Sequence, residues 1–133
     1  AGGGSPEAYL STELNEWAGS YDGREQLAMK QYAEALESIP LTIAENAGMD
    51  PIDTIITLRA NQSSGKQTVG INAREGKIGN MFSLDIVEPL AVKEQIIKSA
   101  TETACMILRI DDVIAVSGGP GAGGPPPGMP PMG

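Results

Sequence analysis

The residues of this chain that could do chemistry are mostly glycines and carboxylates. Gly2-Gly3-Gly4 stands directly before Ser5-Pro6-Glu7. That triplet opens a helix, with Ser5 as cap, Pro6 at the first helical position and Glu7 at the positive end of the dipole. Glycines at such a place let a ligand approach the backbone just before a helix N-terminus. A flexible lead has the same composition, and spacing alone leaves both readings open. Glu88, ahead of Pro89, puts a carboxylate at the start of a second, longer helix.

Two other glycine-bearing runs fail on spacing. Ser63-Ser64-Gly65-Lys66 resembles the end of a phosphate-binding loop, yet Gln67 stands where a hydroxyl is needed and Ala60 where a glycine is needed. The glycines from Gly118 to Gly124 lead into Pro125-Pro126-Pro127 rather than into a helix, so no helix N-terminus faces them. Nucleophilic catalysis has no candidate either. The chain has no histidine and one cysteine, Cys105. Cys105 lies in the apolar half of a helical stretch, which predicts a buried, inert thiol. No residue is expected to be catalytic, and no metal site is expected.

The elements that would position these residues are mostly helical. The first helix carries Leu10, Leu14, Trp17 and Ala18 as its apolar face. Asp22-Gly23 begins a second, with Ala28, Tyr32, Ala35 or Leu36, and Ile39 as its stripe and Pro40 as its stop. A short piece from Leu41 to Ala47 then ends at Gly48, which suits a left-handed C-cap. Asp50-Pro51-Ile52-Asp53 starts another helix, with Ile52, Ile55, Ile56 and Arg59 along one side. The period then changes to two at Val69 and Ile71, with a turn at Arg74-Glu75-Gly76-Lys77 and a return at Ile78, which predicts a β-hairpin. Gly70 and Gly79 weaken both arms. From Pro89 a long helix carries Val92, Ile96, Ala100, Ala104, Ile107 and Leu108 on a face expected to be buried, and Glu94, Lys98 and Glu102 on a solvated one. Asp111 to Val116 reads as a strand needing a partner. Residues 118–133 form a Gly/Pro/Met tail expected to be disordered.

The string from Glu88 to Ile114, EPLAVKEQIIKSATETACMILRIDDVI, closely resembles the C-terminal part of group II chaperonin subunits, the archaeal thermosome and its eukaryotic cytosolic relatives. Gly23-Arg24-Glu25-Gln26-Leu27-Ala28, Ile39-Pro40, Ala44-Glu45-Asn46-Ala47-Gly48 and Asp50-Pro51-Ile52-Asp53 follow the same family in order and spacing. The resemblance runs from Ala1 to about Val116. It implies a mostly α fold: the C-terminal half of an equatorial, ATP-binding domain over residues 1–117, with a small β-hairpin and a C-terminal strand. It also settles the open choice at the first glycines, because the family carries a triple glycine there beside its nucleotide.

By the same resemblance, ATP or ADP would meet Gly2, Gly3 and Gly4, then Asn72, Ala73 and Arg74 on the hairpin. Glu88 would accept hydrogen bonds from the ribose hydroxyls, with Lys93 nearby. The family has a small or acidic residue near position 74, so Arg74 either touches the nucleotide or points into solvent. The family's phosphate loop, its magnesium aspartate and its water-positioning carboxylate are not among these residues. The implied activity is therefore an ATPase of the whole subunit, coupled to the folding of non-native proteins in a homo- or hetero-oligomeric double ring.

Composition bounds the rest. A net charge of −8 opposes binding to nucleic acid or to an anionic membrane surface. No apolar run approaches the ~20 residues of a membrane span, and no signal peptide is visible, so a cytoplasmic location is expected. Asn61-Gln62-Ser63 matches a glycosylation sequon by chance. The start at Ala1 reads as the middle of something longer. From a different class, a stand-alone acidic helical module that binds a protein partner and no nucleotide fits the same composition.

Overall fold

A computed structural model describes residues 1–117, with side chains described for residues 1–110. The fold is mostly α. Three helices come first: α1 (Ser5–Ala18), α2 (Gly23–Asn46) and α3 (Pro51–Ser63). An antiparallel hairpin of β1 (Val69–Asn72) and β2 (Lys77–Asn80) follows, then a single 3-10 turn at Phe82–Leu84 and the long helix α4 (Leu90–Ser117). Residues 1–89 form one compact unit and α4 begins a second. Among the described residues no helix is long and apolar enough to cross a membrane. The tail expected at 118–133 lies outside the described residues.

Local chemistry explains most of the ends. Asp50 caps α3 by accepting the Asp53 N–H at 2.9 Å, and Pro51 takes a first-turn position. The end of α2 is a Schellman closure. The Met49 N–H reaches the Ala44 carbonyl and the Gly48 N–H the Glu45 carbonyl, with Gly48 at φ +71°. At α1 the expected cap is displaced by one residue. Gly4, left-handed at φ 70°, precedes the helix, and the Ser5 hydroxyl donates instead to the Gln67 carbonyl at 2.8 Å.

Three expectations are corrected. Pro40 does not stop the second helix; α2 runs unbroken from Gly23 to Asn46 with Pro40 buried inside it. A proline forfeits one helical hydrogen bond, but here its ring packs beneath Gly4, within 3 Å of where a Cβ on that glycine would stand. The C-terminal strand expected at Asp111–Val116 is helix, the last turns of α4. A lone strand leaves its backbone N–H and C=O groups unpaired, whereas a helix satisfies them within the segment. The face of α4 expected to be buried is exposed, with Val92 at 49% and Leu108 at 65%, and Cys105 is exposed as well. Among the described residues the second unit is a single helix, with no second layer of its own against which to bury a stripe.

The core of residues 1–89 gathers Ala8, Ile55, Leu58 and Val69, with Leu41 and Ile78 packed against it. The buried faces of α1 and α2 are made of small and polar residues rather than the large apolar ones. On α1 they are Ser5, Glu7, Ala8, Ser11 and Ala18, while Leu10 and Trp17 are exposed. On α2, Ala33, Glu37, Pro40 and Ala44 recur at helical spacing. Small side chains let α1 and α2 approach closely. Buried Glu37 is paired with Arg59 of α3, which places two guanidinium nitrogens on one carboxylate oxygen.

The triple glycine packs on the hairpin. The Met81 N–H bonds to Thr68 O at 3.0 Å and continues the ladder, and Gly70 and Asn72 stand opposite Gly79 and Lys77. Alternation then turns the Ile71 N–H to the open edge, where it donates to Gly3 O at 2.9 Å. Gly3 has φ +63°, and a Cβ there would lie 2.5 Å from the Ile71 carbonyl and 2.6 Å from the Met81 sulfur. Both the backbone conformation and the space exclude a side chain.

Two outcomes follow for chemical denaturation of the full-length subunit. Arg59→Ala strands the Glu37 carboxylate with one-tenth of its side chain exposed, and the expected cost is about 2 kcal/mol or more; Glu37→Gln should cost less. Gly48→Ala meets nothing within 4 Å and should lose about 1–2 kcal/mol from its left-handed conformation alone. Gly3→Ala carries that strain plus the backbone collision, so its loss should be clearly larger. Equal losses would contradict the packing described.

Candidate functional site

The triple glycine, the hairpin turn and the segment after the 3-10 turn come together at one end of the first unit. The Gly2 N–H donates to Ile86 O at 2.9 Å, and the Ile86 N–H returns to Met81 O at 2.9 Å. The start of the chain is thereby held between β1 on one side and residues 81–86 on the other. An open cleft of about 510 Å³ lies beside it, within the size range of small-molecule sites. Ile43, Ile71, Leu84 and Ile86 give it apolar walls, and Gly3, Asn72, Ala73, Arg74 and Glu75 complete the lining.

Each expected residue has a definite place. Gly3, Asn72, Ala73 and Arg74 share the cleft. Gly2 and Gly4 flank Gly3 and are buried, Gly2 toward Ile86 and Gly4 against Pro40. Glu88 is exposed, and one of its carboxylate oxygens lies 3.3 Å from the position a Cβ on Gly2 would take. Lys93 lies in the first turn of α4, half-buried, and belongs to the second unit.

Asn72 holds the turn in shape. It is 6% exposed, and its Oδ1 accepts the Arg74 N–H at 3.2 Å while its carbonyl accepts the Glu75 N–H at 3.2 Å. This Asx closure fixes the loop without recruiting side chains from elsewhere. Arg74 and Glu75 are both exposed at the rim. The resulting surface offers apolar walls for a flat ring, backbone along one side, and a carboxylate next to Gly2 that can accept from vicinal hydroxyls.

Sequence reasoning missed the walls and the floor. Ile43 on α2 and the pair Leu84 and Ile86 come from two distant segments, and nothing in their local pattern marks them as partners. Met81 is fully buried beneath the glycines. Gly70 did carry a signal, a glycine inside a strand, which often marks a close backbone approach. Away from the cleft, a hydrogen bond to Glu13 holds the Tyr9 phenol above its ordinary pKa.

Comparison with known proteins is consistent throughout. The model of the TCP-1/cpn60 chaperonin family matches residues 1–117. Thermosome subunit 1 of Haloferax volcanii is 52% identical over 136 residues, covering 96% of this chain and 24% of the relative. Thermosome subunit alpha of Halobacterium salinarum is 55% identical over 114 residues, covering 86% of this chain and 20% of the relative. Among solved structures, the open-state monomer of a group II chaperonin from Methanococcoides burtonii superposes with a TM-score of 0.79 at 48% identity, over 81% of this chain and 27% of that one. The chain thus spans about a quarter of the length of the relatives it matches. With the family model matching residues 1–117 and a solved structure agreeing in fold over 81% of the chain, the chain belongs to the TCP-1/cpn60 chaperonin family, on its group II branch.

Proposed function

We propose that this chain supplies the base-and-ribose side of an adenine-nucleotide pocket in an ATP-driven protein-folding chaperonin. One observation carries the reading: Gly3 and the loop Asn72–Arg74, remote in sequence, line a single cleft, and Glu88 stands next to Gly2. The apolar walls suit the faces of a purine, the glycine backbone allows close approach, and the Glu88 carboxylate accepts from the ribose hydroxyls. Arg74 closes the rim. Lys93 enters the reading through the family resemblance alone.

ATP or ADP is the proposed ligand, with magnesium beside its phosphates. Among the described residues no three metal-ligating side chains come together. The residues that hold the metal and position the attacking water are proposed to lie in parts of the subunit that this chain does not span. What these residues do is bind and orient the nucleoside end. In this reading residues 1–117 are the C-terminal half of an equatorial domain and 118–133 its tail. The subunit works in a homo- or hetero-oligomeric double ring, in the cytoplasm, on non-native protein clients. The thermosome relatives support that assembly.

In the full-length subunit, Glu88→Ala should weaken ATP binding by about 1–3 kcal/mol, the cost of leaving polar partners unmatched. Calorimetric titration measures this, and unchanged affinity would remove Glu88 from the site. The 133-residue chain alone should show no ATP turnover above a protein-free blank, because transfer needs metal and positioned charge. Residues 1–117 expressed alone should self-associate or melt without cooperativity, with the apolar stripe of α4 exposed. A cooperative, monomeric, nucleotide-free fold, read by far-UV melting and size measurement, would favour the stand-alone interaction module instead.

A further inference from the structure

Gly70 lies in the middle of β1, buried, with no unusual backbone angle to explain a glycine there. Space is the explanation. A Cβ on Gly70 would stand 2.7 Å from Gly2 O, 2.8 Å from Met81 Cγ and 3.1 Å from Gly3 O. Two of those neighbours are backbone carbonyls, which move only if the segment moves. One of them, Gly3 O, also accepts the Ile71 N–H. The first glycines are therefore seated directly on Gly70, two residues before the turn that forms the other side of the cleft.

Its cross-strand partner provides the contrast. Gly79 pairs with Gly70 on the same rung, yet a Cβ there would meet only Leu84 Cδ1 at 3.0 Å. That contact is the tip of a flexible side chain, 40% exposed, which can rotate away. The two strand glycines thus differ in what they hold: Gly79 sits under a movable side chain, and Gly70 under the backbone of the candidate site.

We infer that Gly70 is a positioning residue, setting the separation between the Gly2–Gly3 backbone and the Asn72–Arg74 turn and so the width of the cleft. Met81 fills the floor below both glycines, fully buried, and acts with it. The inference rests on the nucleotide reading above. A methyl group at position 70 pushes the glycine segment off β1 and weakens the Ile71–Gly3 hydrogen bond. The ligand then meets only one side of the pocket in register.

The test is calorimetric titration of ADP into the full-length subunit, comparing the unmodified protein, Gly70→Ala and Gly79→Ala. Moving one side of the pocket out of register removes its contacts with the ligand, and the loss of about one hydrogen-bonded contact corresponds to roughly tenfold in affinity, so Gly70→Ala should raise the Kd for ADP about tenfold at full binding stoichiometry. Gly79→Ala touches only the tip of Leu84, a wall of the same cleft that can rotate, and should raise the Kd clearly less than Gly70→Ala does. A purely structural role for Gly70 would instead lower the stoichiometry at an unchanged Kd, and that result overturns the inference. An equal effect of both substitutions overturns it too. If Gly70→Ala does not fold, Met81→Ala takes its place: a raised Kd at full stoichiometry supports the inference and an unchanged Kd overturns it. No ADP binding by the unmodified protein would overturn the nucleotide reading and this inference together, whereas equal Kd values for Gly70→Ala and the unmodified protein overturn the inference alone.

Discussion

The hydrogen bond from the Ile71 N–H to Gly3 O, with the bare backbone on both sides of it, is the contact on which the first unit is organised. It adds the start of the chain to the open edge of the hairpin and so joins the two ends of residues 1–89. Polar contacts reinforce it from beneath. The Ser5 hydroxyl reaches Gln67 O at 2.8 Å, and Gln62 Nε2 reaches Ser5 O at 2.9 Å. Each bond contributes only about 1 kcal/mol net, but leaving such buried groups unpaired costs more than making the bonds gains. The arrangement therefore tolerates little displacement, which is why the glycines there cannot carry side chains.

That constraint also explains what the sequence made legible. Chain punctuation was readable: Asp50-Pro51 and Gly48 act where their chemistry says they should, and the hairpin turn falls between Asn72 and Lys77. Buried faces were not. Large apolar residues point to the wrong sides, since Leu10, Trp17, Ile52 and Ile56 are all exposed. The true contact faces use alanine, serine, a glutamine and the Glu37–Arg59 pair, which hydrophobic periodicity cannot detect. Pro40 was misread for a related reason. Its local rule says stop, and a tertiary contact with Gly4 overrides it. At Asp111–Val116 a strand was expected, but a strand needs a second strand and a helix does not.

The site divides the same way. From residue types alone the first glycines were ambiguous, and only their match to a family pattern gave them a role. The hairpin turn was read from its residues, while the place of Asn72, Ala73 and Arg74 beside a ligand, like that of the glycines, came only from the resemblance. Their convergence with Ile43, Leu84 and Ile86 is a property of the packed fold, and no window of sequence contains it.

The electrostatics of the cleft limit which end of a ligand it can take. Its lining carries one cation, Arg74, and one anion, Glu75, both at the rim, and the nearby Glu88 adds a further negative charge beside Gly2. A triphosphate brings several negative charges and would meet no net compensation from these residues. An uncharged purine against apolar walls, and a diol donating to a carboxylate, meet favourable partners in each case. The turn is closed by Asn72 through backbone N–H groups, so its shape does not depend on the side chain at position 74. A turn closed by backbone contacts tolerates variation at its exposed rim, whereas the contacts around Gly3 and Gly70 leave no room for a side chain.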